Sequence, residues 1–194
     1  MSYLPIFIKN KDCHVLIVGG GRIAWNKYKL CKEAKMNITV VAEQFCEAFQ
    51  HEENADFLER PYIDGEASKY ELVIAATNNT QVNTVISQQA KQFVCRTDAV
   101  EEGNCLLPSA IHRGDLVISW TTGGASPFLS KTIKQKLEKT FDESYEGYLT
   151  FLKAVRAEHK DNKALLRYVV AERFISMTDE ERWLEIKKFI PTLN

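Results

Sequence analysis

The chain has 194 residues, enough for one domain of ordinary size and a smaller appendage, and its 45% hydrophobic and 26% charged content are those of a soluble globular protein. A net charge of −1 sets up no global field to gather nucleic acid. No apolar run approaches the roughly 20 residues that span a bilayer, and residues 1–7 lack the basic region and long apolar stretch of a signal peptide; a cytoplasmic location is expected, with neither membrane nor nucleic acid as partner.

Residues 9–12 read as a polar turn leading into an apolar run, Cys13-His14-Val15-Leu16-Ile17-Val18, of strand character. Gly19-Gly20-Gly21-Arg22-Ile23-Ala24 follows, written G-x-G-x-x-A, and then a segment with helical spacing. Strand, tight turn and helix in this order form the dinucleotide fingerprint. Gly19 lets the chain turn sharply, because without a Cβ it reaches conformations closed to other residues. Gly21 lets the backbone approach a pyrophosphate, and Ala24 is small enough for the helix to pack closely on the strand. The helix start offers free N–H groups and a partial positive charge to the anion.

The helix places Ile23, Tyr28, Leu30, Cys31 and Ala34 at mixed three- and four-residue spacings, interleaved with lysines. Residues 37–42 are a second buried strand, rich in β-branched side chains. Glu43 follows, nineteen positions past Ala24. That is where an acid grips a ribose diol and rejects a 2′-phosphate, which favours NAD over NADP; an exposed acid at a helix start is the alternative. Residues 55–60 are a shorter strand closed by Pro61, and residues 72–76 the next. Thr77-Asn78-Asn79 ends it, at the carboxyl edge of the sheet where ligands of open α/β sheets bind. A helix around 81–91 and a strand at 93–96 complete an alternation that implies an α/β, Rossmann-like, doubly wound parallel sheet.

After Asp98 the pattern changes. Residues 104–111 and 115–121 are extended runs joined hairpin-like by His112-Arg113-Gly114, and residues 121–125 form a flexible turn. Ser126-Pro127 reads as an N-cap followed by proline at the first helical position, with Leu129, Ile133 and Leu137 along the helix. The remainder is helical: 145–159, a segment opening at Asp161, and one opening with the capping box at 178–181.

Five scattered cysteines, an odd number without a C-x-x-C pair, argue against a disulfide framework and a zinc site. Charge is uneven: residues 1–42 carry seven Lys/Arg against two Asp/Glu, residues 106–140 five against two, and residues 43–110 four against twelve. Basic flanks suit a polyanionic small ligand. Asp98, just past a parallel strand, falls where a nicotinamide ring would lie. It serves as a general base if partial burial raises its pKa; otherwise it is a turn former. His112, in the turn, reads as a surface residue.

Together, Leu4-Pro5-Ile6-Phe7, the glycine fingerprint, Thr39-Val40-Val41-Ala42, Ala75-Ala76-Thr77-Asn78-Asn79, Val82-Asn83, Asp98, Leu107-Pro108-Ser109 and Thr122-Gly123-Gly124-Ala125-Ser126-Pro127 resemble the precorrin-2 dehydrogenase family, the dehydrogenase/ferrochelatase domain of siroheme synthase. The resemblance runs from the first residues to about Glu138. It implies oxidation of precorrin-2 to sirohydrochlorin with NAD, in siroheme or cobalamin-type biosynthesis. It also implies a homodimer and three parts: a Rossmann-like domain over 1–104, a dimerisation segment over 105–141 and a helical domain over 142–194. Asp98 matches the family's essential aspartate, and Arg22, Ile23, Glu43 and Gln44 match its NAD-contacting pairs. Thr122 matches a residue of the tetrapyrrole pocket, with Gly123 and Ser126 beside it. Cys95 and Cys105 stand where the family often has asparagine and an aromatic, and both are expected near the tetrapyrrole cleft. Two alternatives remain: a bifunctional dehydrogenase and ferro- or cobaltochelatase, and an NAD(H)-sensing regulatory module.

Overall fold

The computed structural model describes residues 3–190, so Met1, Ser2 and the last four positions of the helical 142–194 segment lie outside the described residues. The chain divides into two compact units, Met1–Pro108 and Ser109–Asn194.

The first unit is built on five parallel strands, β1 (His14–Val18), β2 (Asn37–Ala42), β3 (Asp56–Glu59), β4 (Leu72–Ala75) and β5 (Phe93–Arg96), in the order β3-β2-β1-β4-β5. The strand order reverses between β1 and β4, and the crevice at such a switch point is where open α/β sheets bind ligands. Because side chains alternate along a strand, β1 sends Val15 and Ile17 to one face and Leu16 and Val18 to the other. Helix α1 (Arg22–Glu33) covers the first face through Ala24, Tyr28 and Cys31, and α2 (Thr80–Gln89) covers the second through Ile86. Each fully buried Ile, Leu or Val stabilises the fold by about 1.5–3 kcal/mol relative to exposure. The sheet is doubly wound, as expected. The connections β2→β3 and β3→β4 differ from the expected alternation, however: each carries only one short 3-10 turn, Glu47–Phe49 and Glu66–Lys69. An aromatic cluster of Trp25, Tyr28, Phe45, Phe49 and Phe57 fills the space beside the first of these turns.

Cys95 is buried in the core beneath α1 and Cys105 packs against that core, with burial pushing the Cys105 thiol up to about 12. Their side chains are apolar packing, as is usual for free cysteine.

In the second unit, β6 (Ser109–Arg113) pairs antiparallel with β7 (Leu116–Trp120). The turn falls on Gly114-Asp115, one step later than expected, and Gly114 takes φ +57°, which suits glycine. His112 is therefore a strand residue facing Val117 across the ladder. Helix α3 (Pro127–Thr140) follows, with Ser126 as its N-cap, and packs on β6. Helices α4 (Ser144–Glu158), α5 (Lys163–Tyr168) and α6 (Asp179–Phe189) enclose Tyr148, Phe151, Val155, Leu165, Val169, Phe174 and Ile186. The expected capping box is present, Thr178 and Glu181 each satisfying the other's backbone N–H. Among the described residues, no helix is long and apolar enough to cross a membrane.

Candidate active site

A cleft of about 1210 Å³ opens at the carboxyl edge of the five-stranded sheet. Its walls are the loop 18–23, the end of β2 through Cys46, the segment after β3 and residues 76–79. Gly19, Gly21, Arg22, Ile23, Glu43, Gln44 and Thr77 all line it. Ala24 does not; it is fully buried under α1, the close-packing role expected of it.

The three glycines act differently. Gly19 sits at φ +131°, and a Cβ there would lie 2.3 Å from the Ala76 carbonyl oxygen, so the turn and the approach of β4 both exclude a side chain. Gly21, the N-cap of α1, has open space where its Cβ would be. Gly21 also lines the cleft, so its backbone is open to the approach of a pyrophosphate. Gly20 is the residue the fingerprint leaves free, yet its Cβ would meet the Gln44 carbonyl oxygen at 2.0 Å and the Ala42 Cβ at 2.9 Å. The Gly20 carbonyl also accepts from the Cys46 N–H at 2.8 Å, fastening the fingerprint loop to the chain leaving β2. No side chain caps the start of α1, so its first N–H groups face the cleft with their dipole available to an anion. Bare N–H groups, a glycine with room in front of it and carboxamide and carboxylate groups at the end of β2 fit a dinucleotide: the residues present suit that cofactor.

Asp98 follows β5 at the same edge of the sheet. Its carboxylate receives both arms of Arg96, Nε at 3.0 Å and Nη2 at 2.8 Å. The Arg96 side chain is 0% exposed and that of Asp98 24%. Arg96 Nη1 also donates to Thr84 Oγ1 at 3.1 Å and to Glu102. The Arg96 guanidinium holds the Asp98 carboxyl down at about 2; burial opposes it as the next-largest effect, and Asn83 adds a lesser lowering. The expected upward shift is thus corrected: the arginine outweighs desolvation, and Asp98 is an anion throughout the physiological range.

Asn83 fixes Thr77 on the wall of the cleft. It is fully buried, donates from Nδ2 to the Thr77 carbonyl at 3.1 Å, and accepts at Oδ1 from Thr77 Oγ1 at 2.6 Å and the Thr77 N–H at 3.2 Å. Sequence reasoning gave Asn83 and Arg96 no role. For Arg96 a signal existed, since residues two apart on an extended chain share a face.

Thr122, Gly123 and Ser126 belong to the second unit. Thr122 Oγ1 lies 3.5 Å from the Ser126 carbonyl oxygen, and Gly123 takes φ +61° with its N–H on Thr121 Oγ1 at 3.1 Å. Ser126 Oγ accepts from the Leu129 N–H at 3.1 Å, so one of its lone pairs is committed to the cap.

Residues 6–109 match a protein family whose model is described as "Putative NAD(P)-binding". Siroheme synthase 2 of Yersinia enterocolitica is 33% identical over 196 residues, covering 95% of this chain and 38% of that protein. Siroheme synthase of Thioalkalivibrio sulfidiphilus is 27% identical over 209 residues, covering 99% of this chain and 43% of that protein. The chain spans less than half the length of these curated relatives. Among solved structures, SirC, a precorrin-2 dehydrogenase, matches with a TM-score of 0.74 at 26% identity, over 96% of this chain and 100% of that one. A glycine-lined cleft at the sheet's carboxyl edge and a family model matching residues 6–109 lead to one conclusion: the chain belongs to the family described as "Putative NAD(P)-binding".

Proposed function

We propose that the protein oxidises precorrin-2 to sirohydrochlorin, with NAD as hydride acceptor and Asp98 as proton acceptor. The observation that carries this reading is the pairing, at one sheet edge, of the cleft with the Asp98 carboxylate, held by the buried Arg96. Its substrate class is supported by the likeness to SirC, a precorrin-2 dehydrogenase.

The start of α1, with Gly21, Arg22 and Ile23, would hold the pyrophosphate, Glu43 and Gln44 the adenosine ribose, and Thr77 the wall toward the nicotinamide. Nicotinamide, when bound, supplies the acceptor for a hydride. Oxidation removes one hydride and one proton from the reduced macrocycle. As the hydride departs, positive charge spreads over the pyrrole nitrogens, and the fixed anion at Asp98 lowers the energy of that charge. A carboxylate held near 2 is a weak base toward a neutral ring. The cation left by hydride loss is a far stronger acid, so Asp98 takes the proton as, or after, the hydride leaves. Thr122, Gly123 and Ser126 are proposed to contact the tetrapyrrole, whose carboxylates suit the basic flanking segments.

We also propose a cytoplasmic homodimer formed through the hairpin and α3. It is supported by Phe128 and Leu129, which are 81% and 50% exposed on α3. Light scattering giving a monomer mass at micromolar concentration would remove that part of the proposal.

Anaerobic incubation with precorrin-2 and NAD, following absorbance of both the reduced nicotinamide and the macrocycle, tests the activity. Equal amounts of NADH and sirohydrochlorin are expected. NAD binding with an unchanged macrocycle would refute the reading in favour of a nucleotide-sensing module. Metal insertion into sirohydrochlorin, assayed without NAD against the spontaneous rate, decides whether the protein is bifunctional.

A further inference from the structure

Arg60 stands on the wall of the dinucleotide cleft, one residue past β3. Ala42 lies opposite Glu59 in the β2–β3 register, and the Arg60 N–H donates to the Ala42 carbonyl at 2.9 Å, so Arg60 runs alongside Glu43. An arginine at the ribose end of such a cleft is the group that accommodates a 2′-phosphate, because its planar fork meets phosphate oxygens two at a time. Here the fork is already engaged. Nη2 donates to Glu66 Oε1 at 2.5 Å, and Nη1 donates to Glu66 Oε2 at 3.1 Å and to the Pro61 carbonyl at 3.0 Å.

Glu66 is the fixed partner of the two. Its side chain is 10% exposed against 31% for Arg60, and its Oε2 also accepts from the Ile63 N–H at 3.3 Å. The 3-10 turn that carries it opens at Gly65, whose φ is +83° and whose N–H donates to Gln89 Oε1 on α2 at 2.7 Å. The turn is thereby tied to the helix, and the arginine is drawn to a carboxylate that the fold holds still.

We propose that Glu66 sets the coenzyme preference of this cleft by withholding the Arg60 guanidinium from a 2′-phosphate. Discrimination then has a repulsive part, the exposed carboxylate of Glu43, and a sequestering part, the Glu66 pair. This inference rests on the reading of the cleft as a dinucleotide site.

The test titrates purified protein with NADH and with NADPH, following nicotinamide fluorescence, with no tetrapyrrole present. In Glu66→Gln, affinity for NADPH is expected to rise about tenfold relative to NADH, which corresponds to about 1.4 kcal/mol. The double variant Arg60→Gln/Glu66→Gln is expected to lose that gain. Arg60→Gln alone is expected to leave the ratio of the two affinities as in the wild type, and it keeps the test open if Glu66→Gln fails to fold. An unchanged ratio in folded Glu66→Gln would overturn the inference, as would a gain that survives in the double variant or a shifted ratio in Arg60→Gln. Wild-type protein that binds neither dinucleotide would overturn the coenzyme reading itself, and this inference with it.

Discussion

Gly20 and Gly21 make a pair of one-methyl experiments with opposite outcomes. In Gly20→Ala the new Cβ would sit 2.0 Å from the Gln44 carbonyl oxygen, where packed carbons keep at least 3.0 Å. The Gln44 peptide must therefore move by about 1 Å, against a loop anchored by the Cys46–Gly20 hydrogen bond. Overpacking of this kind costs about 1–3 kcal/mol, and backbone is less yielding than a side chain, so the upper part of that range is expected. With about 2–4 °C of Tm per kcal/mol for a chain of this size, the melting temperature should fall by roughly 5–10 °C. Gly21→Ala meets nothing within 4 Å at φ −84° and costs only the difference between glycine and alanine at an N-cap, about 1 kcal/mol or less. Gly21 lines the cleft where the pyrophosphate is proposed to sit, so an added methyl should lower NADH affinity at least tenfold while the fold persists. Differential scanning fluorimetry and NADH titration read both variants. A Gly20→Ala protein that melts with the wild type, or a Gly21→Ala protein that binds NADH undiminished, would refute the steric reasoning.

Asp98→Ala should abolish NADH formation while leaving NAD affinity nearly unchanged, and wild-type turnover in that variant would take Asp98 out of the mechanism. Arg96→Met should raise the Asp98 pKa toward its ordinary 3.8, visible as an upward move of the acid limb of the turnover profile; an unmoved limb would show that Arg96 does not hold the carboxylate ionised. Asn83→Leu should lower turnover more than NAD affinity, because it frees Thr77 on the cleft wall and removes a group that helps lower Asp98, and equal losses in both would contradict that role. The depressed Asp98 pKa contributes stability that is complete above 3.8 and is lost as pH falls through about 2. Partial solvent exposure of the carboxylate limits the effect to about 1 kcal/mol. Asp98→Asn should therefore be less stable than wild type at pH 6 and lose less stability on acidification; parallel acid titrations would argue against the ion pair.

Much of the first unit was legible in the sequence because its signals are local. A β-branched run meeting glycines and an alanine where helix and strand must touch each carry their meaning within a few positions, as does, in the second unit, Thr178 three residues before Glu181. Features that depend on two distant segments meeting were not legible. Gly20 reads as a free position until the chain after β2 is laid against it. Asp98 looked like a carboxylate raised by burial because its surroundings were unknown, and the arginine that reverses the shift matters only because the fold buries it completely. The hairpin turn shifted by one residue because Gly114, able to take a positive φ, rather than His112, decides where the chain reverses.

The aromatic cluster beside the first 3-10 turn has a practical bearing. Of the three tryptophans in the sequence, only Trp25 belongs to the unit that carries the cleft. It sits in the opening turn of α1, three residues beyond Arg22, and rests against Tyr28 and Phe49. Indole emission overlaps the absorption band of dihydronicotinamide, so Trp25 is a built-in optical reporter of occupancy. With Trp120 and Trp183 replaced by phenylalanine, it would let coenzyme arrival be timed by stopped flow without any added label.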